Sequence, residues 1–244
     1  AIIILDFGSQ YTQLIARRIR EFNVYSEVVS PEIDLKSIKE KNPRAIILSG
    51  GPSSVFSDDA PDFDKNILNA DLPILGICYG LHLLVHHNGG AVNSTGKGEY
   101  GFAEVDFTKG NTITEQMSDT SNVWMSHMDQ VTKVPDGWQV IATSANGVVA
   151  GLINQKQNKI ATQFHPEVSH TEEGGQLLKN FIFKIAKCEK NWTPSNFIQE
   201  QVKKIKEKSG DENILVGVSG GVDSTVMACL INKSLIILNL FNPK

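Results

Sequence analysis

Apolar residues fall into short runs separated by polar stretches of helical pattern. AIIIL (1–5), VYSEVV (24–29), AIILS (45–49) and LPILGI (72–77) are rich in β-branched residues and bounded by turn residues, which predicts strands. Between the first two, YTQLIARRIREF (11–22) brings Leu14, Ile15, Ile19 and Phe22 to one face of a helix. Strand alternating with helix predicts a parallel sheet covered on both faces. From about 99 to 164 the spacing tightens, and GEYGFAEVDF, WQVIATSA, GVVAGLI and KIATQF follow one another with PDG and ANG turn signals between them. That part reads as strand-rich and antiparallel at the edge of the sheet. EGGQLLKNFIFKIA (173–186) predicts a helix that closes the unit.

After Cys188 the polar segment EKNWTPSN reads as a linker, followed by a helix over about 195–208 and then by NILVGVSGGVDSTVMACLI, a strand, a glycine turn and a helix. Residues 196–244 are too few for an independent α/β domain of this type. The predicted organisation is therefore a first domain over 1–188, a linker over 189–195 and an incomplete second domain over 196–244.

Composition narrows the function classes. Of the 244 residues 41% are hydrophobic and 20% charged, an ordinary balance for a chain with a sizeable core. The formal net charge is −4, and the one basic run, VKKIKEKSG (202–210), has the pattern of a solvated helix face, so neither nucleic acid nor a membrane surface is an expected partner. Cys78, Cys188 and Cys229 are widely spaced with no CxxC, which predicts reduced thiols and a cytoplasmic setting. AIIILDFGSQ is too short and lacks the basic start of a signal peptide, and no stretch approaches the roughly 18 apolar residues of a membrane span.

LPILGICYG runs an apolar strand into Cys78, with Gly76 and Gly80 on either side. A nucleophile on a sharp strand-to-helix turn stands above the sheet edge, and its neighbours must be small because backbones approach closely there. A helix beginning after Cys78 would aim its N–H groups and positive dipole end at the sulfur and favour thiolate. A free cysteine is also commonly a small buried hydrophobe, and the motif alone leaves both readings open. In ATQFHPEVSHT (161–171), His165 and Glu167 flank Pro166, which predicts an extended segment with both side chains on one side. A strand end with a solvated His and Glu would look the same. Cysteine, a histidine that takes and returns its proton, and a carboxylate that fixes the histidine tautomer are what acyl transfer through a thioester requires. LSGGPSSV (48–55) adds glycines past a strand end whose N–H groups suit a developing oxyanion, with the Tyr79 amide as second donor.

Farther on, Ser219, Gly220, Gly221, Asp223 and Ser224 precede a helix, so amides and hydroxyls converge on an anion site suited to pyrophosphate; a bare glycine turn is the ordinary alternative. The stretch lacks the lysine of GxxxxGK[ST]. His82 and His86 are four apart on a helix with His87 adjacent, but no third ligand stands at a recognisable spacing, so no metal site is expected there.

GICYG, QFHPEV and SGGPSSV together resemble the class I, or triad, glutamine amidotransferases over residues 1 to about 188. LDFGSQYTQLIARRIRE is similar to the opening of the glutamine-hydrolysing GMP synthase family, and VGVSGGVDSTV resembles the pyrophosphate-binding loop of ATP pyrophosphatases. The resemblance implies a class I amidotransferase-like, mostly parallel sheet flanked by helices, followed by an incomplete α/β ATP pyrophosphatase domain. It implies that Cys78 attacks the side-chain amide of glutamine, that His165 protonates the leaving ammonia and later activates water, and that Glu167 orients His165. It assigns the oxyanion to the amides of Gly51 and Tyr79, substrate glutamine to the neighbourhood of His82, Ser126 and His127, and ATP pyrophosphate to Ser219, Gly220, Gly221, Val222, Asp223 and Ser224. The implied small molecules are glutamine, ATP with Mg2+, and xanthosine monophosphate, aminated to GMP; a homodimer is left open. The sequence departs from the family at His82, where glutamine is usual, at Met128, where glycine is usual, and over SLIILNLFNPK at the end. An amidotransferase fold kept as a weakly catalytic interaction or regulatory module is the alternative function.

Overall fold

The alternation of isoleucines decides how the first strands are buried. In the computed structural model, which describes residues 1–57, 60–210 and 212–235, β1 (Ile2–Leu5) sends Ile2 and Ile4 into one apolar cluster and Ile3 and Leu5 into another. Successive side chains of a strand point to opposite faces, so a strand apolar at every position needs cover on both. β3 (Ala45–Leu48) and β4 (Ile74–Ile77) divide the same way, and all their residues are buried. The cover comes from α1 (Thr12–Glu21), through Ile15, Ala16 and Ile19, and from α3 (Tyr79–His87), through Leu81, Leu84 and Val85. Between them, α2 (Leu35–Glu40) starts at Asp34, whose carboxylate accepts a hydrogen bond from the Ser37 N–H at 2.6 Å.

Five more strands, with β2 (Ser26–Val29) on the far side of β1, complete the sheet: β5 (Ala91–Phe107), β6 (Thr120–Lys133), β7 (Gln139–Ser144), β8 (Val149–Asn154) and β9 (Lys159–Thr162). Among the described residues the order is β2-β1-β3-β4-β9-β8-β7-β5-β6. Pairing is parallel from β2 through β9 and antiparallel from β9 to β6, as the change in strand spacing predicts. β6 escapes the sequence reading, although its burial alternates over Ser121–Val131. The helix expected over 173–186 is divided: α4 (Gly174–Asn180) runs into a π turn over Phe181–Ile185, in which the Ala186 N–H reaches the Phe181 carbonyl. The wider turn puts both Phe181 and Ile182 in the core.

The chain divides into two units, Ala1–Asn191 and Trp192–Lys244. In the second, α5 (Pro194–Ser209) begins inside the stretch read as linker, with Pro194 in its first turn and Thr193 Oγ1 accepting from the Asn196 N–H. α6 (Val222–Ser234) forms as expected, but the strand predicted over NILVGV does not. Leu215 is fully exposed and Val218 more than half exposed. A strand takes half its backbone hydrogen bonds from each neighbour, and no described residue of this unit offers an edge to pair with. The further strand expected in LIILNLF falls, from residue 236 on, outside the described residues. No described helix is long and apolar enough to cross a membrane.

Candidate active site

β4 ends at Ile77 and α3 begins at Tyr79, so Cys78 alone makes the turn, at φ 51° and ψ −100°. A non-glycine residue in such a region stores on the order of 1–3 kcal/mol and persists only where its surroundings fix it. Here the Cys78 N–H donates to Thr162 O at 2.7 Å, its carbonyl accepts from the His82 N–H, and the Gly80 N–H donates to Ser49 O. The flanking glycines answer to space. A Cβ on Gly76 would lie 2.5 Å from Gly80 O, and one on Gly80 would lie 2.5 Å from Leu48 O.

His165 sits just past β9, its imidazole buried and edge-on to Tyr11, with ring centroids 5.0 Å apart. Its Nδ1 is 2.7 Å from Glu167 Oε1. The predicted extended segment around Pro166 is instead a turn. It curls because the Glu167 carbonyl is held by Arg18 Nε at 3.0 Å, the His165 carbonyl by Thr171 Oγ1 at 2.7 Å, and Gly174 packs so closely on Pro166 that a Cβ there would meet the Pro166 oxygen. Glu167 is wholly buried. Burial works against a charged imidazole, but the contacts with Cys78 and with the Glu167 carboxylate outweigh it and push the His165 pKa up to about 10.

Cys78, His165, Gly51, Tyr79, His82, Ser126 and His127 all line one cleft of about 550 Å3. The Cys78 Sγ faces the Ser126 carbonyl oxygen at 3.7 Å. A side chain held as a strained nucleophile, beside a buried imidazole that is itself held by a buried carboxylate, is an arrangement for acyl transfer. A family profile described as Glutamine amidotransferase class-I matches residues 3–185. The chain belongs to this family.

A profile described as NAD synthase matches residues 194–242. GMP synthase [glutamine-hydrolyzing] of Brachyspira hyodysenteriae is 50% identical over 234 residues, covering 96% of this chain and 46% of that protein. The enzyme of the same name from Maridesulfovibrio salexigens is 47% identical over 236 residues, with 96% and 46% covered. The chain thus spans about half the length of the curated relatives it matches. Among solved structures, a candidate GMP synthase component from Thermoplasma acidophilum superposes with a TM-score of 0.67 at 29% identity, covering 82% of this chain and 96% of that one. A glutamine amidotransferase from Thermotoga maritima, at 17% identity and a TM-score of 0.56 over 96% of this chain and 90% of that one, shares the fold.

In this amidotransferase unit the residues expected near substrate have further partners. His82 Nε2 lies 2.9 Å from Gln163 Oε1, a carbonyl oxygen that only accepts and so matches an N–H at Nε2. Burial pushes the His82 pKa down, which keeps the ring neutral. His127 directs Nε2 to Glu99 Oε2 at 3.2 Å and Nδ1 to Asp129 O at 3.0 Å. Glu99 also accepts from Ser144 and Asn146, so a buried network braces the β6 wall of the cleft. Met128 lines the cleft and is about half exposed. His86 stacks edge-on against Phe56 and His87 meets Asn69, so the three helix histidines face three different partners.

Sequence reasoning missed Gln163, Tyr11 and Glu99. Gln163 had a legible signal, an amide inside the strand-like run KIATQF; Glu99 had none, because its partners come from β6, β7 and the β7–β8 turn. In the second unit Ser219 Oγ meets Ser224 Oγ at 3.2 Å, Gly220 turns at φ 85°, and Ser224 and Thr225 hydroxyls bond the Gly221 carbonyl as α6 begins.

Proposed function

We propose that the first unit hydrolyses glutamine to glutamate and ammonia, and that the chain is the amidotransferase portion, with the start of the synthetase portion, of a glutamine-hydrolysing GMP synthase. The observation that carries the first part is the strained Cys78 turn sharing a cleft with His165, whose Nδ1 lies 2.7 Å from the buried Glu167 carboxylate. Cys78 Sγ attacks the side-chain carbonyl carbon of glutamine, and the carbonyl pair moves onto oxygen, where the Gly51 and Tyr79 amides receive it. His165, protonated at neutral pH, gives its proton to the departing nitrogen as the C–N bond breaks, leaving a thioester. The neutral imidazole then takes a proton from water, the new C–O bond forms, and the C–S bond breaks with its pair returning to sulfur. Glu167 keeps Nδ1 protonated and Nε2 directed at the chemistry throughout. Ser126, His127 and His82 form the wall against which the rest of the glutamine would lie.

The second part rests on identities near 50% to relatives about twice as long. In this reading the ammonia is used to aminate xanthosine monophosphate to GMP, in a cytoplasmic enzyme. Ser219, Gly220, Gly221, Val222, Asp223 and Ser224 would hold the pyrophosphate of ATP: the turn is exposed, opens on the first amides of a 13-residue helix and carries two hydroxyls, which fits an anion. Mg2+ would accompany the ATP. Glutamate release from glutamine tests the reading. Cys78→Ala should abolish it, while Cys188→Ala and Cys229→Ala should leave most of it; substantial release by Cys78→Ala would overturn the mechanism.

A further inference from the structure

Gln163 is completely buried, and its amide bridges two cleft residues: Oε1 lies 2.9 Å from His82 Nε2, and Nε2 lies 3.8 Å from Cys78 Sγ. On another side the same sulfur faces the Ser126 carbonyl oxygen at 3.7 Å. The two neighbours have opposite preferences. A carbonyl oxygen only accepts and so holds the S–H form, whereas an amide N–H only donates and so holds the thiolate. We propose that the Gln163 amide stabilises the Cys78 thiolate, and that His82 is a positioning residue that fixes which end of that amide faces the sulfur.

A carboxamide turned by half a revolution would present oxygen to the sulfur and repel its anion. The His82 N–H can bond only the oxygen end, so it keeps the NH2 group on the sulfur side. Burial lowers the His82 pKa, and the Nε2–H tautomer is the one that matches the amide oxygen 2.9 Å away, with the Asp129 backbone as the ring's other contact. The backbone beneath is fixed as well, since the Gln163 N–H donates to Ala150 O at 2.9 Å. An N–H bonds a thiolate more strongly than a thioester sulfur, so the contact favours the step in which the C–S bond breaks and its electron pair returns to Sγ. This deepens the glutaminase reading and rests on it. The other titratable groups lining the cleft with Cys78 are His165, with Glu167 behind it, Tyr11 from the β1–α1 turn, Tyr79 from α3, Tyr100 from β5, and His127 and Asp129 from β6.

The test is the pH dependence of alkylation by iodoacetamide, followed by mass on the peptide that contains Cys78, which keeps Cys188 and Cys229 out of the readout. Gln163→Met, similar in length, should raise the midpoint by about one pH unit, roughly a tenfold loss of thiolate below it. Gln163→Glu, similar in shape, should raise it further, because a carboxylate beside the sulfur opposes its ionisation. His82→Leu should raise it part of the way, because the released amide can turn. An unchanged or lowered midpoint in the Gln163 variants, with native circular dichroism, would overturn the proposal. Should neither fold, His82→Leu decides: a raised midpoint supports it and an unchanged one overturns it. The failures are separable. Glutamine hydrolysis that survives Cys78→Ala sinks the Cys78 mechanism on which the inference rests, whereas a Cys78-dependent glutaminase with an unmoved alkylation curve sinks only the role of Gln163.

Discussion

Two segments of the chain share one local plan, an apolar run, a turn of small residues and a helix: residues 74–87 and residues 213–234. In the first, β4 is paired with β3 on one side and β9 on the other, and Cys78 is held at a backbone geometry it would not choose alone. In the second, NILVGV forms no strand and Leu215 stands in solvent, yet Gly221 still precedes α6 and Ser219 still meets Ser224. The turn and the helix start are local properties, whereas the strand belongs to its neighbours. The proposed chemistry divides in the same way. A strained nucleophile needs a whole sheet to hold it, but an anion cradle needs only free N–H groups at a helix start.

The sharpest break in the comparison would come from the residues proposed to drive the chemistry at the first turn. His165→Ala should cost roughly a thousandfold or more in glutamine turnover, because it removes both proton transfers. Glu167→Gln should cost less, since in the proposed mechanism Glu167 orients the ring and moves no proton. The reverse order in steady-state kinetics would mean that the roles are misassigned.

Amide hydrogen exchange would contrast the two runs directly. Amides of Ile74–Ile77 should exchange at least roughly a thousandfold more slowly than those of residues 214–218, because opening β4 requires opening the sheet while the second run has no ladder to open. Similar protection in both would show that NILVGV is paired after all.

Glycine substitutions sharpen the same contrast on stability. Gly80→Ala presses a methyl into Leu48 O and should cost about 3 kcal/mol or more, a fall in Tm of roughly 6–12 °C. At Gly221 the nearest atom to a new Cβ is 3.6 Å away, and Gly221→Ala should change Tm by no more than about 3 °C. Equal effects would remove the distinction between a packed elbow and an open turn.

The smallest effect concerns pH. The folded-state pKa of His165 is raised from 6.5 to about 10, so the stability it contributes is fully present below pH 6.5 and lost as pH rises through 10. Glu167→Gln removes a group that raises it and should flatten the loss between those limits, as read by urea unfolding across that range. An unchanged slope would show that the pair is not coupled in the folded protein.

Much of this was legible in the sequence because it depends on local pattern. The β-branched runs marked four parallel strands, and the glycines around Cys78 marked an elbow whose need for space the structure shows as 2.5 Å approaches. What escaped depends on distant chain. β6, which carries Ser126 and His127, alternates too mildly to stand out, and the Glu99–His127 brace joins residues 28 positions apart. Pro166 misled for the same reason: its local bias is extended, but Arg18, Thr171 and Gly174 hold it in a turn. The strand over NILVGV failed in the opposite direction, a good local pattern with no described neighbour.

The central claim is that the elbow makes Cys78 the nucleophile for glutamine, and covalent labelling with a glutamine-mimicking electrophile tests it most directly. Peptide mass after brief treatment should place one adduct on Cys78, with glutamine slowing its formation and with Cys188 and the exposed Cys229 left unmodified. Adducts spread over the three cysteines, or labelling of Cys78 at a rate that glutamine does not change, would contradict it.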